Sequence, residues 1–183
     1  MNRNSIKNLV KLDRKLYLGK KFLLFFLNSH QNYIYYKAIK YNRWYRYYKQ
    51  KKNQVVGGLL FCYFNRKKNI YCNKYGIELN GASFGKNLRL YHGNIVINEQ
   101  AQIGNYCKLH GSNCIGNNGD SNLCPTIGDN VDIGYGTIII GNVKIGNNIV
   151  IGANSLVNKD LLDENFIYAG SPAKKIKRIE KSF

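Results

Sequence analysis

Three histidines are the side chains best suited to acid–base chemistry in this chain of 183 residues: His30, His92 and His110. An imidazole has an ordinary pKa near 6.5, so a neutral histidine can accept a proton at neutral pH. Such a group can act as a general base that removes the proton from a hydroxyl. His92 and His110 lie in the short segments LYHG and KLHG, whereas His30 lies in a basic segment. What these imidazoles can do depends on the elements that position them.

A six-residue repeat begins five residues after His92 and contains His110. Glycine follows six of its aliphatic residues, and in the frame from 97 to 157 only Ser121 breaks the pattern. A period of six fits neither a helix nor an ordinary strand, and it predicts a solenoid of short strands joined by tight corners. The aliphatic side chains would point inward, with glycine and asparagine at the corners, where positive φ is required. The repeat residues are Ile97, Ile103, Leu109, Ile115, Ile127, Ile133, Ile139, Ile145, Ile151 and Val157.

Charge divides the chain into two regions. Residues 1–75 contain 18 Lys and Arg but one acid, Asp13, whereas residues 76–183 are close to neutral. Eleven of the 15 tyrosines lie before residue 76, and 15 of the 18 glycines lie after residue 75. The hydrophobic content of 44% excludes a disordered basic tail. We therefore predict a basic, Tyr-rich, mostly helical region over 1–75 that precedes the repeat.

The longest apolar runs are shorter than a bilayer requires. The runs at 22–27 and 55–64 fall below the roughly 20 residues of a membrane span. No small-residue cleavage site follows 22–27, so we predict part of a helix there and not a signal peptide. An odd number of cysteines without CxxC spacing predicts reduced thiols in a cytoplasmic protein, not a zinc site or a disulfide framework. The cysteines are Cys62, Cys72, Cys107, Cys114 and Cys124.

The basic region itself is predicted to contain helices at 5–27 and 31–52. In the second helix one apolar stripe follows a spacing of four and three residues. Two interpretations of the charge stay open: a helical cap with solvated charges, or a cationic surface that contacts anionic lipid at the inner face of the membrane or a charged polysaccharide. No nucleic-acid-binding motif accompanies the charge. The stripe consists of Ile34, Ala38, Tyr41, Tyr45 and Tyr48.

The segments IGDNVDIGYGTIIIGNVKIGNNIVIGANSLVNKD at 127–160 and AGSPAKKI at 169–176 resemble the hexapeptide-repeat acyltransferases. The resemblance implies a left-handed parallel β-helix with three hexads per coil over 76–168, and a C-terminal tail or helix on the CoA side over 169–183. Residues 76–111 are similar to the serine acetyltransferases, and closer to their relatives in bacterial surface-polysaccharide loci.

This resemblance implies catalysis by direct acetyl transfer from acetyl-CoA. His92 matches the catalytic histidine, and Glu78 matches an acid of the preceding coil that hydrogen-bonds the imidazole. His110 lies where relatives often carry a His or Gln in the active-site cleft. The family pattern also implies a homotrimer with active sites between subunits and no metal.

The same resemblance places CoA along the later coils. Tyr135, Gly136 and Ala153 match positions whose backbone meets the pantetheine arm. Lys159 and Lys174 match basic residues that meet the nucleotide phosphates. Acetyl-CoA is thus the expected co-substrate.

Two departures from the family pattern concern the acceptor. Tyr91 stands where serine acetyltransferases have an aspartate that holds the serine amine, and Leu123-Cys124-Pro125 replaces their Arg-His-Pro. The loss of both charged partners predicts a sugar hydroxyl as acceptor, with Arg89, Tyr91 and Asn94 around His92. The expected function is therefore O-acetylation of a bacterial surface polysaccharide, with serine O-acetyltransferase as the alternative.

Two further alternatives lie outside this reaction. A γ-type carbonic anhydrase needs three zinc-binding histidines, and only His92 and His110 lie in the expected β-helix, at a spacing of 18 that is expected to stack them on one face. A non-catalytic trimeric scaffold that binds polyanions or membranes would use the repeat only for assembly.

Overall fold

The computed structural model describes residues 2–119 and 122–180, so Ser121, the break in the repeat, lies outside the described residues. The chain forms two compact units, Met1–Gly81 and Ala82–Phe183. Each unit has its own elements and its own buried core. No helix in the described ranges is long and apolar enough to cross a bilayer.

The first unit is helical, as its composition predicts. Its elements are α1 (Arg3–Leu18), α2 (Phe22–Leu27), α3 (Gln31–Lys49) and α4 (Val55–Asn73), followed by the short strand β1 (Ile77–Glu78). The run 22–27 is helical, as expected, but the predicted helix 5–27 is wrong as one element because Gly19 ends α1 at a φ of +49°. Helix α4 was not predicted, since Gly57 and Gly58 in its first turn weaken the helical signal.

The apolar stripe of α3 is the core of the first unit. All five of its predicted residues are buried. Aromatic rings of α4 pack against it: the ring centroids of Tyr45 and Phe61 lie 5.2 Å apart, and those of Tyr48 and Phe64 lie 5.3 Å apart. The only acid before residue 76, Asp13, is fully buried on α1 and accepts a 2.7 Å hydrogen bond from Arg43 Nε on α3. The basic unit is thus held by aromatic packing and one buried ion pair.

The second unit consists of short strands, most of them of two or three residues. Each repeat buries its aliphatic strand residue together with a small or branched residue four positions later, for example Ile127 with Val131 and Ile145 with Ile149. The strands are β2 (Ser83–Phe84), β3 (Arg89–Leu90), β4 (Ile95–Ile97), β5 (Gln102–Ile103), β6 (Lys108–Leu109), β7 (Cys114–Gly116), β8 (Thr126–Ile127), β9 (Asp132–Ile133), β10 (Ile138–Ile140), β11 (Lys144–Ile145), β12 (Val150–Ile151), β13 (Leu156–Val157), β14 (Phe166–Ala169) and β15 (Lys174–Arg178).

These strands form three parallel sheets. The orders are β2-β5-β8-β11, β3-β6-β9-β12-β14 and β4-β7-β10-β13, so the chain visits each sheet in turn and climbs one coil every three strands. All ten repeat residues are at most 5% exposed. Asparagines take the left-handed backbone at corners, for example Asn130 at a φ of +54° and Asn148 at +55°. The predicted left-handed parallel β-helix with a basic helical N-terminal region is confirmed.

The register of the coils is less regular than the repeat. Ile97 pairs with Ile115, and Ile133 pairs with Ile151; the residues of each pair are 18 positions apart. Leu90 instead pairs with Leu109, 19 residues on, because the corner between β3 and β4 holds one extra residue. The interval between the end of β7 at Gly116 and the start of β8 at Thr126 is longer than the others, and the repeat is interrupted there. These two irregularities decide which side chains meet on the surface.

The C-terminal segment adds a final strand. After Gly170 the chain turns through Ser171–Ala173, and β15 pairs antiparallel with β14. The expected tail or helix is therefore a strand up to Arg178. All five side chains of β15 are exposed, so its sequence lacks the alternation of buried and exposed residues that usually indicates a strand.

Candidate active site

The site is built on the sheet that begins with β3, here called the β3 face. Its register places Arg89 beside Lys108, and Lys108 beside Asp132, each just before a buried aliphatic residue. Residues at equal places in successive coils therefore form columns along the face. Two columns just beyond these strands carry the candidate side chains.

The first column begins with His92 and ends at the expected CoA positions. His92 is exposed at the corner after β3, and Gly111 occupies the same place in the next coil. A Cβ added to Gly111 would lie 2.6 Å from the Cβ of His92 and 3.2 Å from a ring carbon of Tyr135. The rings of His92 and Tyr135 face each other edge to face, with centroids 6.4 Å apart. Because Gly111 has no side chain, the imidazole and the phenol ring meet across the coil between them.

Small residues continue this column. The Gly136 N–H donates to the carbonyl of Gly111 at 2.9 Å, and the Asn154 N–H donates to the carbonyl of Tyr135 at 2.8 Å. A Cβ on Gly134 would lie 2.5 Å from the backbone nitrogen of Ala153. Tyr135, Gly136 and Ala153, the predicted CoA positions, are thus brought into line with His92. An extended ligand arm could follow this line and reach the imidazole.

The corner that holds Gly111 is fixed by a buried amide. The side chain of Asn113 is 1% exposed; its oxygen accepts from the Gly111 N–H at 2.9 Å, and its nitrogen donates to the Gly134 carbonyl at 2.7 Å. The Ser112 hydroxyl donates to the Tyr135 hydroxyl at 2.8 Å. These bonds hold the backbone on both sides of the His92–Tyr135 contact.

The second column contains Tyr91 and His110, not His92 and His110. The rings of Tyr91 and His110 stack with centroids 4.7 Å apart and planes 21° apart. The expected stacking of His92 on His110 is therefore wrong, because the extra residue between β3 and β4 shifts the register to 19. The two imidazoles instead lie in neighbouring columns.

Asp132 is a member of the site that sequence reasoning missed. Its Oδ1 lies 2.7 Å from Nε2 of His110, and its Oδ2 accepts a 3.1 Å hydrogen bond from Lys108 Nζ. The residue is 22 positions from His110, and the loop between β7 and β8 hides their proximity. The sequence did contain a signal for it, because Asp132 occupies the same outward position in the next coil as Lys108 of KLHG.

The remaining predicted acceptor-site residues lie around these columns. The guanidinium carbon of Arg89 lies 5.6 Å from the ring centroid of Tyr91. Asn94 is exposed at the corner after His92, where its φ of +56° suits asparagine. Glu78 is exposed on β1 of the first unit, so its hydrogen bond to His92 of the second unit stays a prediction.

The two predicted phosphate-binding lysines are both exposed. Lys159 follows β13, and Lys174 begins β15 after the turn at Gly170. Their part in binding a nucleotide stays a prediction.

Burial suppresses the reactivity of two of the cysteines, Cys72 and Cys107. All five cysteines are free thiols, and burial raises the pKa of both Cys72 and Cys107 to about 11. Such thiols are poor nucleophiles at neutral pH. No group of three His, Cys, Asp or Glu side chains able to hold a metal occurs among the residues described.

Comparison with known proteins confirms the resemblance to the serine acetyltransferases. No protein-family model matches the chain. A serine acetyltransferase of Synechococcus elongatus is 37% identical over 90 residues, which are 47% of this chain and 37% of the relative. The match thus spans well under half the length of that relative.

Solved structures share the fold over almost the whole chain. The serine acetyltransferase of Neisseria gonorrhoeae matches with a TM-score of 0.76 and 26% identity, covering 98% of this chain and 69% of that one. A serine acetyltransferase solved in complex with CoA matches with a TM-score of 0.71 and 22% identity, covering 95% of this chain and 71% of that one. The second likeness shows the fold alone.

Proposed function

We propose that this chain is an acetyl-CoA-dependent O-acetyltransferase of the serine acetyltransferase type, with His92 as its general base. The observation that carries the proposal is the column in which exposed His92, Gly111, Tyr135 and Ala153 follow one another along the β3 face. Small residues and backbone amides along the column leave room for a pantetheine arm whose thioester reaches the imidazole. The similarity to serine acetyltransferases supports the same reaction.

The proposed reaction is a single displacement. The acceptor hydroxyl transfers its proton to His92 as its oxygen bonds to the thioester carbonyl carbon. The carbon–sulfur bond then breaks, and His92 returns the proton to the departing thiolate, which gives the O-acetyl ester and free CoA. Glu78 is proposed to accept a hydrogen bond from the other imidazole nitrogen and to stabilise the imidazolium.

Serine is the acceptor that the comparisons support. The relatives reported above are named serine acetyltransferases, and none of them is named for a saccharide. The expectation of a surface-polysaccharide acceptor is not supported by them. It is retained as a second candidate only because Tyr91 and exposed Leu123 replace charged residues of the family pattern.

Replacement of His92 tests the proposal directly. We expect His92→Ala to lower kcat for acetyl transfer from acetyl-CoA to serine by about 10²- to 10⁴-fold, the range of general-base catalysis. Glu78→Gln is expected to lower kcat with the KM for acetyl-CoA unchanged. Release of the CoA thiol and formation of O-acetylserine are measured together.

His30→Ala is the matched control, because His30 caps α3 in the first unit and lies outside the site. Activity of His92→Ala equal to that of the unaltered chain would favour the non-catalytic scaffold. Transfer to a cell-surface glycan but not to serine would favour the second acceptor.

We further propose a homotrimer with active sites between subunits, as the family resemblance implies. Tyr135 is 48% exposed in one protomer, so the column of His92, Tyr135 and Ala153 is open on one side. A second subunit could complete a groove there. The mass of the native particle, measured by light scattering, tests this proposal.

A cationic partner surface is proposed for the first unit. Because Asp13 is buried against Arg43, residues 2–75 present no carboxylate to solvent. Helix α2 exposes apolar side chains, among them Leu23, Leu24 and Leu27, next to Lys20 and Lys21. This combination suits the interface of an anionic lipid bilayer.

A further inference from the structure

The second imidazole of the β3 face is held on two sides. His110 stacks on Tyr91 at 4.7 Å, and its Nε2 lies 2.7 Å from Oδ1 of Asp132. The carboxylate is itself fixed by Lys108, whose Nζ lies 3.1 Å from Oδ2. The stacked Tyr91 ring and the Asp132 carboxylate, which Lys108 fixes in turn, therefore define one orientation of the imidazole.

The carboxylate of Asp132 determines which nitrogen of His110 can accept a hydrogen bond from a ligand. An ionised carboxylate only accepts hydrogen bonds, so Nε2 of a neutral imidazole must carry the proton and donate it to Asp132. Nδ1 is then left as an acceptor. In the part of the chain that the structure describes, Nδ1 makes no hydrogen bond, and the side chain of His110 is 40% exposed. The open nitrogen is available to a ligand.

His110 lies in the column next to that of His92, the proposed general base. Tyr91, stacked on His110, directly precedes His92, and Gly111, packed against His92, directly follows His110. An acceptor whose hydroxyl reaches His92 would thus present its neighbouring atoms to the His110 column. The negative charge of Asp132 behind the ring favours a donor with positive charge, although Lys108 and Arg89 on the same face reduce this preference.

We propose that His110, oriented by Asp132, binds the amino group of the acceptor through Nδ1 while His92 deprotonates the hydroxyl. The proposal rests on the proposed function with serine as acceptor. His110 contacts the substrate in this arrangement, and Asp132 is a positioning residue that sets the tautomer. The site then separates the two tasks: one column performs the chemistry and the next selects the substrate.

The test pairs a side-chain change with removal of the substrate amino group. Steady-state transfer from acetyl-CoA is measured with serine and with 3-hydroxypropanoate, which keeps the hydroxyl and the carboxylate but lacks the amine. His110→Ala is expected to raise the KM for serine by about tenfold or more, the effect of losing a hydrogen bond to a charged group. The KM values for 3-hydroxypropanoate and acetyl-CoA should stay unchanged.

Two variants exclude a merely structural effect. His110→Asn places an amide oxygen near the position of Nδ1 and should recover much of the serine affinity. Asp132→Asn should raise the KM for serine and, because it frees the tautomer, change how that KM depends on pH. Asp163→Asn, which removes an exposed 2.7 Å pair with Lys175, is the matched control.

The possible failures are distinguishable. Equal increases in KM for serine and for 3-hydroxypropanoate, or an unchanged serine KM in His110→Ala, would overturn the amine-binding proposal and leave the acetyltransferase intact. Failure of the unaltered chain to acetylate serine would overturn both the amine-binding proposal and the choice of serine as acceptor.

Discussion

Gly111 shows how one residue can decide the geometry of the candidate site. It combines a φ of +114° with a position between the Cβ of His92 and the ring of Tyr135. A side chain there would have to adopt a left-handed backbone and also displace the imidazole. The absence of a side chain is thus what allows the imidazole of His92 to face the ring of Tyr135.

Gly111→Ala is expected to lower both stability and activity. The backbone strain alone costs about 1–3 kcal/mol, and displacement of His92 should reduce kcat in addition. Gly119→Ala is the matched control, since Gly119 has a φ of +89° with open space around it. The melting temperature and kcat of both variants are compared; equal kcat values would contradict the proposed role of the His92–Tyr135 contact.

At another corner, the Asp129 carboxylate accepts hydrogen bonds whose contribution to stability depends on pH. Hydrogen bonds from the side chain and backbone N–H of Asn105 hold the pKa of the Asp129 carboxyl below its ordinary value. A depressed carboxyl pKa stabilises the fold above the pKa of the unfolded chain, and this contribution is lost as pH falls through the lowered pKa.

Asn105→Ala should therefore raise the pKa of Asp129 towards its ordinary value, measured by NMR titration of the carboxyl carbon. Asn142→Ala, at an exposed corner position, serves as the control. An unchanged Asp129 titration in Asn105→Ala would show that other groups set this pKa.

At the scale of elements, the joint between α1 and α3 depends on the ion pair of Asp13 and Arg43. Their side chains are 0% and 3% exposed, and two hydrogen bonds of 2.7 and 3.2 Å join them. Removing one partner of a buried pair leaves an uncompensated charge.

Asp13→Asn is expected to destabilise the first unit by about 3–5 kcal/mol, as measured by urea denaturation followed through tyrosine fluorescence. The exposed pair of Asp163 and Lys175 is worth only about 0–1 kcal/mol, so Asp163→Asn is the control. A similar small loss for both variants would mean that Arg43 finds water or another partner when Asp13 is absent.

The whole molecule carries its excess charge on one unit, and we propose that this charge bears on where the protein is found and not on the reaction. The formal charge of the chain is +18, and nearly all of it lies before residue 76, whereas the proposed site lies on a nearly neutral β-helix. A cation near an anionic bilayer gains about 1 kcal/mol, so several together can recruit the protein.

We expect the full chain to co-sediment with vesicles that contain an anionic phospholipid and not with neutral phosphatidylcholine vesicles. Because charge attraction is screened, binding should weaken as salt rises from low to physiological concentration. Leu24→Asp together with Leu27→Asp should reduce binding, with acetyl transfer to serine unchanged. Equal binding to both kinds of vesicle would contradict the proposed charge-dependent contact.

The sequence alone determined that the second unit is a solenoid of short strands. Its resemblance to a known family indicated the residues of the candidate site. A six-residue period admits few structures, because each hexad must bury one aliphatic side chain and turn one corner. The resemblance to the hexapeptide-repeat acyltransferases indicated His92, Tyr135 and Ala153, and the structure places these three residues in one column. The helical first unit was less predictable, since two glycines, Gly57 and Gly58, lie in the first turn of α4.

Only the tertiary structure decided which side chains meet beside that column. A repeat gives the average length of a coil but not the places where a coil gains a residue. One extra residue between Leu90 and Ile97 put Tyr91, and not His92, against His110. The loop after β7 brought Asp132 to the same imidazole. Pairing between coils follows the hydrogen-bond register of the strands, and a shift of one residue there moves every outward side chain to a new neighbour.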